Sequence, residues 1–207
     1  MAAARILIMA VGFIVFFVIS DLPKSHKKKM ISEMISQLIN FVIYIWLGKI
    51  ILDLALFVKD PLAILAYPSN AHAFYLAVLF SVLTLAYKQF YRKVDMVSFI
   101  PACIPVFLSA SFVYEFIQFV WYDHTYAIGN LILLTVLIIV GLLIRDRIRS
   151  TIVTTIMIIG WSTGMLLLTF ILPLTTVFGY IMDSWFIGLL LITNIILLTI
   201  NQRKRVT

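Results

Sequence analysis

The chain has 207 residues, 63% of them hydrophobic and 12% charged, with a formal net charge of +7 at pH 7 and a mean hydropathy of +1.12. A soluble domain carries about 25% charged residues and cannot hide this much apolar surface from water, so lipid is the expected solvent. The basic residues fall in short clusters between apolar runs rather than over one face, which excludes nucleic acid as a partner; the single cysteine, Cys103, excludes an intrachain disulfide and a cysteine-built metal site.

A bilayer core takes about 20 mostly apolar residues per helix, with every backbone polar group satisfied inside the segment. Taken in chain order, the apolar runs predict seven spans, at residues 2–20, 37–58, 68–87, 97–121, 126–144, 152–173 and 185–200. The first has only Arg5 ahead of its core, and the basic cluster KSHKKK follows it, the mark of a retained anchor whose N-terminus lies outside. Cytoplasmic loops hold the excess of Lys and Arg. Lys24, Lys27, Lys28 and Lys29 follow the first span; Lys88, Arg92 and Lys93 follow the third. Arg145, Arg147 and Arg149 follow the fifth, and Arg203, Lys204 and Arg205 end the chain. Only Arg5 and Lys59 fall on the other side, with Lys49 in the membrane. The expected fold is therefore all-α: a polytopic integral membrane bundle of seven transmembrane helices, N-terminus outside and C-terminus inside. It forms a single transmembrane domain over residues 1–207 without a soluble module.

Within the second span, FVIYIWLGKIILDLALFV, Lys49 and Asp53 stand four residues apart and share a helix face. Each charge costs about 2.5 to 3.5 kcal/mol at a helix centre, and intramembrane ionisable groups are functional candidates by default. Lys49 lies ten residues from Lys59, roughly 15 Å at the helical rise, too deep to snorkel. In the fourth span, FVYEFIQFVWYDH carries Glu115 roughly 10 Å below the outer end, with Gln118 at i+3. A buried carboxyl group needs a partner, and Lys49 is the one basic residue placed deep enough to serve. The expected site is thus an outward-half cluster of Lys49, Asp53 and Glu115, which requires the second and fourth helices to adjoin.

The outer rim adds His72, Asp123, His124, Asn130 and Asp183, of which His72 and Asn130 join Gln118 as candidate substrate contacts. The histidines lack a metal-ligand spacing, so neither a metal nor a cofactor is expected. Trp121, Tyr122, Tyr126, Tyr180 and Trp185 read as an interfacial aromatic belt. KDPLAILAYPSN, residues 59–70, is too short to cross and reads either as an interfacial or re-entrant piece or as an extension of the third helix. Pro101 and Pro105 in the fourth span and Pro173 late in the sixth permit kinks. The glycines of GWSTG, residues 160–164, favour close internal helix packing. Asn194 is expected to make an interhelical hydrogen bond.

The string EFIQ, with Asp123 and Asn130 after it, resembles the acidic, amide-rich strip of the VanZ-like membrane family over about sixteen residues. The spacing differs and the glycine expected soon after the asparagine is missing, so no function is carried over. The motifs of nucleotide-binding loops, hydrolase triads and zinc proteases are absent. The leading expectation is a small membrane protein that binds or transports a small polar solute or protons, alone or as a subunit of a larger complex. The alternatives are a non-catalytic assembly or sensor subunit and an intramembrane enzyme acting on a lipid-linked substrate; catalytic residues are not assigned. Expected partners are membrane lipids and either another protein or further copies of the chain. A bacterial-type cell membrane is the expected location.

Overall fold

The computed structural model describes the backbone of residues 2–66, 70–92, 95–122 and 124–206, and the side chains of these residues except 2–7, 65–66, 92 and 197–206. Asp123, Lys93, Tyr67, Pro68 and Ser69 lie outside the described residues, as do the side chains of Arg5, Arg92, Arg203, Lys204 and Arg205. Nine helices run through the described residues: α1 (Ala2–Ile19), α2 (Lys24–Leu52), α3 (Leu54–Lys59), α4 (Pro61–Ala66), α5 (Ala71–Arg92), α6 (Met96–Tyr122), α7 (Ala127–Ile144), α8 (Ser150–Ile171) and α9 (Ser184–Val206). Strands β1 (Thr176–Val177) and β2 (Tyr180–Ile181) form a hairpin between α8 and α9.

Helices α2, α5, α6, α7 and α8 are each long and apolar enough to cross a bilayer. Shorter apolar stretches, Ile8–Ile19 in α1 and Ser184–Ile196 in α9, stand where the first and last spans are predicted. Large apolar side chains cover the outside of these helices, with Phe170 86% and Trp121 77% exposed. A surface of that kind belongs in lipid rather than water. The protein is an all-α, multi-pass membrane protein.

Contacts divide the chain into two compact units, one formed by residues 1–21 and 97–207, the other by residues 22–96. In the second unit α2 and α5 form an antiparallel helical pair. At one end Phe41 and Phe74 meet edge to face at 5.4 Å, and a Cβ on Gly48 would lie 2.9 Å from the Ala73 carbonyl oxygen. Further along, the Tyr44 and Thr84 hydroxyls are 2.6 Å apart, and Lys88 donates to Glu33 at the other end. The span expected at 37–58 differs in two ways. It begins at Lys24, where the Pro23 carbonyl accepts from Lys27, because lysine, glutamate and methionine are good helix formers that carry the helix beyond the apolar run. It also breaks at Asp53, whose φ of −119° and ψ of 44° end α2. The Asp53 carbonyl then accepts from Leu56 and Phe57 and starts α3. Asp60 Oδ1 accepts from the amides of Leu62 and Ala63 and caps α4; Asn70 Oδ1 does the same for α5 through Ala73.

In the other unit α1 lies against α6. Ile8 packs with Ala110 and Tyr114, and a Cβ on Gly12 would come within 2.8 Å of the Val106 carbonyl oxygen. Leu108 of α6, Leu134 and Leu137 of α7, and Met157 of α8 make the main core. Gly160 and Gly164 of GWSTG face Leu137 and Leu133, leaving α7 and α8 no room for larger residues there. Pro101 and Pro105 sit inside α6 without ending it, and Ser109 Oγ bonds back to the Pro105 carbonyl at 2.5 Å. Pro173 departs from expectation. Helix α8 stops at Ile171, and Leu172 is extended with ψ of 144°, the conformation forced on a residue that precedes proline. Pro173 therefore terminates α8 instead of kinking it. Asn194 donates to the Leu190 carbonyl of its own helix at 2.7 Å, where a bond across helices was expected.

The hairpin after Pro173 is too short to be read from periodicity. Thr176 pairs with Ile181 and Val177 with Tyr180, and the turn residues Phe178 and Gly179 have φ of 50° and 85°. Two successive positive φ angles identify a type I′ turn, whose twist matches that of paired strands. Phe178 is an uncommon choice at its position. Its ring stands 6.0 Å from that of Phe107 and 5.6 Å from that of Tyr114, so aromatic packing holds the strained backbone.

Candidate functional site

The hairpin lines one wall of a small, mostly apolar pocket inside the unit formed by residues 1–21 and 97–207, into which a few polar side chains are set. Ser111 and Glu115 lie four residues apart on one face of α6. Asn130 comes from the first turn of α7, Trp161 and Met165 come from α8, and Thr176, Val177 and Phe178 come from the hairpin. Leu133 and Leu134 complete the lining. Glu115 and Asn130 are each only 3% exposed and Ser111 7%. Asn130 Nδ2 donates to Glu115 Oε1 at 3.2 Å and to the Thr176 carbonyl at 3.3 Å. One amide thus ties α6, α7 and the hairpin together.

Three oxygens in this pocket have no hydrogen-bond partner among the described residues: Glu115 Oε2, Asn130 Oδ1 and Ser111 Oγ. Buried polar atoms are nearly always satisfied, by protein or by a bound water or ion. The pocket leaves about 10 Å3 for the centre of a water-sized sphere. That is room for roughly one water or an ion of similar size. Among its lining residues Glu115 is the one ionisable group. The arrangement therefore offers three unbonded buried oxygens, one of them from a carboxyl group, which can hold a proton, a water or a small cation between α6 and α7. No group of three His, Cys, Asp or Glu side chains that could hold a metal ion occurs among the described residues.

Of the residues predicted for a site, Glu115 and Asn130 are brought together here. Gln118 is half-buried and does not line the pocket; its carbonyl accepts from the His124 amide at 3.2 Å. Lys49, Asp53 and His72 belong to the second unit. Lys49 is buried at 6% exposure in α2. Asp53 is exposed at the helix break, so the i, i+4 geometry expected of an unbroken helix ends at that residue. His72 is exposed, with its ring 5.9 Å from that of Tyr75. At the rim, His124 Nδ1 and the Tyr126 hydroxyl are 2.7 Å apart. Ser111, Trp161 and the hairpin are additions that charge and periodicity did not single out. The signal for Ser111 was present: it stands one helical turn before Glu115, on the same face. No protein-family model, curated protein or solved structure matches the chain.

Proposed function

We propose that this is a seven-span protein of the cell membrane, N-terminus outside and C-terminus inside, forming one transmembrane domain that binds or transports a small polar solute or protons in its outward half, alone or as a subunit of a larger complex. The observation that supports this reading is the convergence of Glu115 Oε2, Asn130 Oδ1 and Ser111 Oγ on one small buried cavity. A packing role alone would have been served by satisfied or apolar groups, since an unbonded buried polar atom costs about 1 to 3 kcal/mol. Glu115 and Asn130 supply binding, Ser111 a third contact, and the hairpin a cover. In the proposed orientation the pocket faces outward, because the end of α6, the start of α7 and the hairpin share that side. Lys49 and Asp53 are the second unit's own candidates for binding a polar species.

The lipid-linked enzyme reading has no nucleophile bonded to a base, nor a paired acid and base, among the residues that line this pocket. An assembly role draws on a specific observation, the double bond of Asn130 to Glu115 and Thr176. Reconstitution into liposomes separates the two. Under the proposed function, proton flux or uptake of a small polar solute exceeds that of empty liposomes, and Glu115→Gln and Asn130→Ala lose it while remaining folded. Under the assembly role, there is no flux above background and both variants merely yield less folded protein.

A further inference from the structure

We infer that the pocket between α6 and α7 is a binding site for one dehydrated monovalent metal cation, held by Glu115, Asn130 and Ser111 beneath the hairpin. The inference rests on the proposed function and specifies its ligand. Three features of the pocket point the same way. The three unbonded atoms are all oxygens, the donors that hard cations take in exchange for their water shell. The side chains that carry them are all more than nine-tenths buried, so the geometry is held by packing rather than by solvent. The lining contains one carboxyl group and no basic residue, so a single positive charge is what its ionised form would balance.

Charge and size then select the cation. A divalent ion beside a single carboxylate would leave a net positive charge in a low-dielectric interior, which burial disfavours strongly. A hydrated ion does not fit, since the free volume is that of about one water. The Asn130 amide is oriented to present a ligand oxygen. Its Nδ2 is committed to Glu115 Oε1 and the Thr176 carbonyl, which leaves Oδ1 as its free ligand atom. The Thr176 bond also connects the ligand set to the hairpin, so cation binding and closure of the cover are coupled through one amide.

The test uses the purified full-length protein in detergent micelles. Thermal unfolding is followed by tryptophan fluorescence while NaCl or KCl replaces choline chloride at constant ionic strength. The expected result is a Tm that rises with sodium or potassium and is flat in choline, with the preferred ion showing the size the pocket accepts. Ser111→Ala, which removes an atom bonded to no described residue, shifts the titration midpoint roughly tenfold upward, the worth of one good contact. Glu115→Gln abolishes the response. Binding of radiolabelled sodium or potassium to the wild type provides a readout independent of variant folding. A wild-type Tm and isotope binding indifferent to cation identity overturn the inference, as does a larger response to CaCl2. If Glu115-dependent flux in liposomes survives that result, the cation site alone is wrong and the proposed function stands with a proton or neutral solute; if flux is absent too, both fall.

Discussion

Asn130 Nδ2 lies 3.2 Å from Glu115 Oε1, so an amide on α7 holds an acid on α6 across fifteen residues of sequence, and the same nitrogen reaches the Thr176 carbonyl at 3.3 Å. Removing the amide leaves Glu115 buried without that donor and frees the first strand of the hairpin. Asn130→Leu is therefore expected to destabilise the protein by about 1 to 3 kcal/mol. Replacing both partners removes the uncompensated group, so Glu115→Leu with Asn130→Leu should regain most of the loss. Denaturant titration of the four proteins in micelles measures the coupling. Additive single effects would mean that the two side chains do not interact.

The approach of α1 to α6 makes a prediction about glycine. A methyl group on Gly12 would meet the Val106 carbonyl oxygen at 2.8 Å, and a backbone atom cannot rotate away as a side chain can. Gly188, in α9, would meet nothing within 4 Å. Gly12→Ala should cost about 1 to 3 kcal/mol through overpacking. Gly188→Ala should be neutral or stabilising by up to about 1 kcal/mol, the helix-propensity gain of alanine. Thermal unfolding of the two variants side by side checks the contrast, and equal effects would contradict the α1–α6 crossing.

Phe178 sets strain against packing. Asparagine accepts a positive φ more readily than phenylalanine, and relief of the left-handed backbone is worth roughly 1 kcal/mol. Loss of a packed phenylalanine ring costs about 3 kcal/mol or more, and this ring contacts Phe107 and Tyr114. Packing wins in that comparison. Phe178→Asn should be less stable by about 2 kcal/mol, while Phe178→Tyr stays close to wild type. A stabilised asparagine variant would show that the ring does not anchor the hairpin.

How much of this was legible in the sequence depends on the range of the interactions involved. The long apolar runs place α5, α6, α7 and α8 near their predicted bounds, because hydropathy is summed over many residues and one misjudged position changes little. Glu115 and Asn130 stood out because a charge or amide in lipid is costly wherever it points. Ser111 did not, since a serine among small and apolar residues carries little weight by itself, and only its place one helical turn before Glu115 marks it. The break at Asp53 was hidden by the apolar, helix-forming residues on both sides of it. The hairpin has two-residue strands, too short for an alternating pattern, and carries Phe where glycine or asparagine is usual in its turn. A meeting of Lys49 with Glu115 requires their two spans to be neighbours, a relation that periodicity does not encode. Asn130, expected only as a rim contact, proved to be the partner that Glu115 has within its own unit.

The proposed topology is checked by thiol labelling. In a Cys103→Ala background, cysteines placed at Lys59 and at Lys88 should behave oppositely toward a membrane-impermeant reagent. Lys59→Cys should label in intact cells, and Lys88→Cys only after permeabilisation. Labelling of both from the same side would require an even number of crossings between them and would overturn the arrangement of spans.

The central claim is that Glu115, Asn130 and Ser111 hold a small polar species between them. A high-resolution density map of the protein in a lipid bilayer tests it most directly. The predicted result is a discrete peak within bonding distance of Glu115 Oε2, Asn130 Oδ1 and Ser111 Oγ, covered by the Phe178 turn. A map in which those oxygens are bonded to one another, or filled over by a neighbouring apolar side chain, would contradict it.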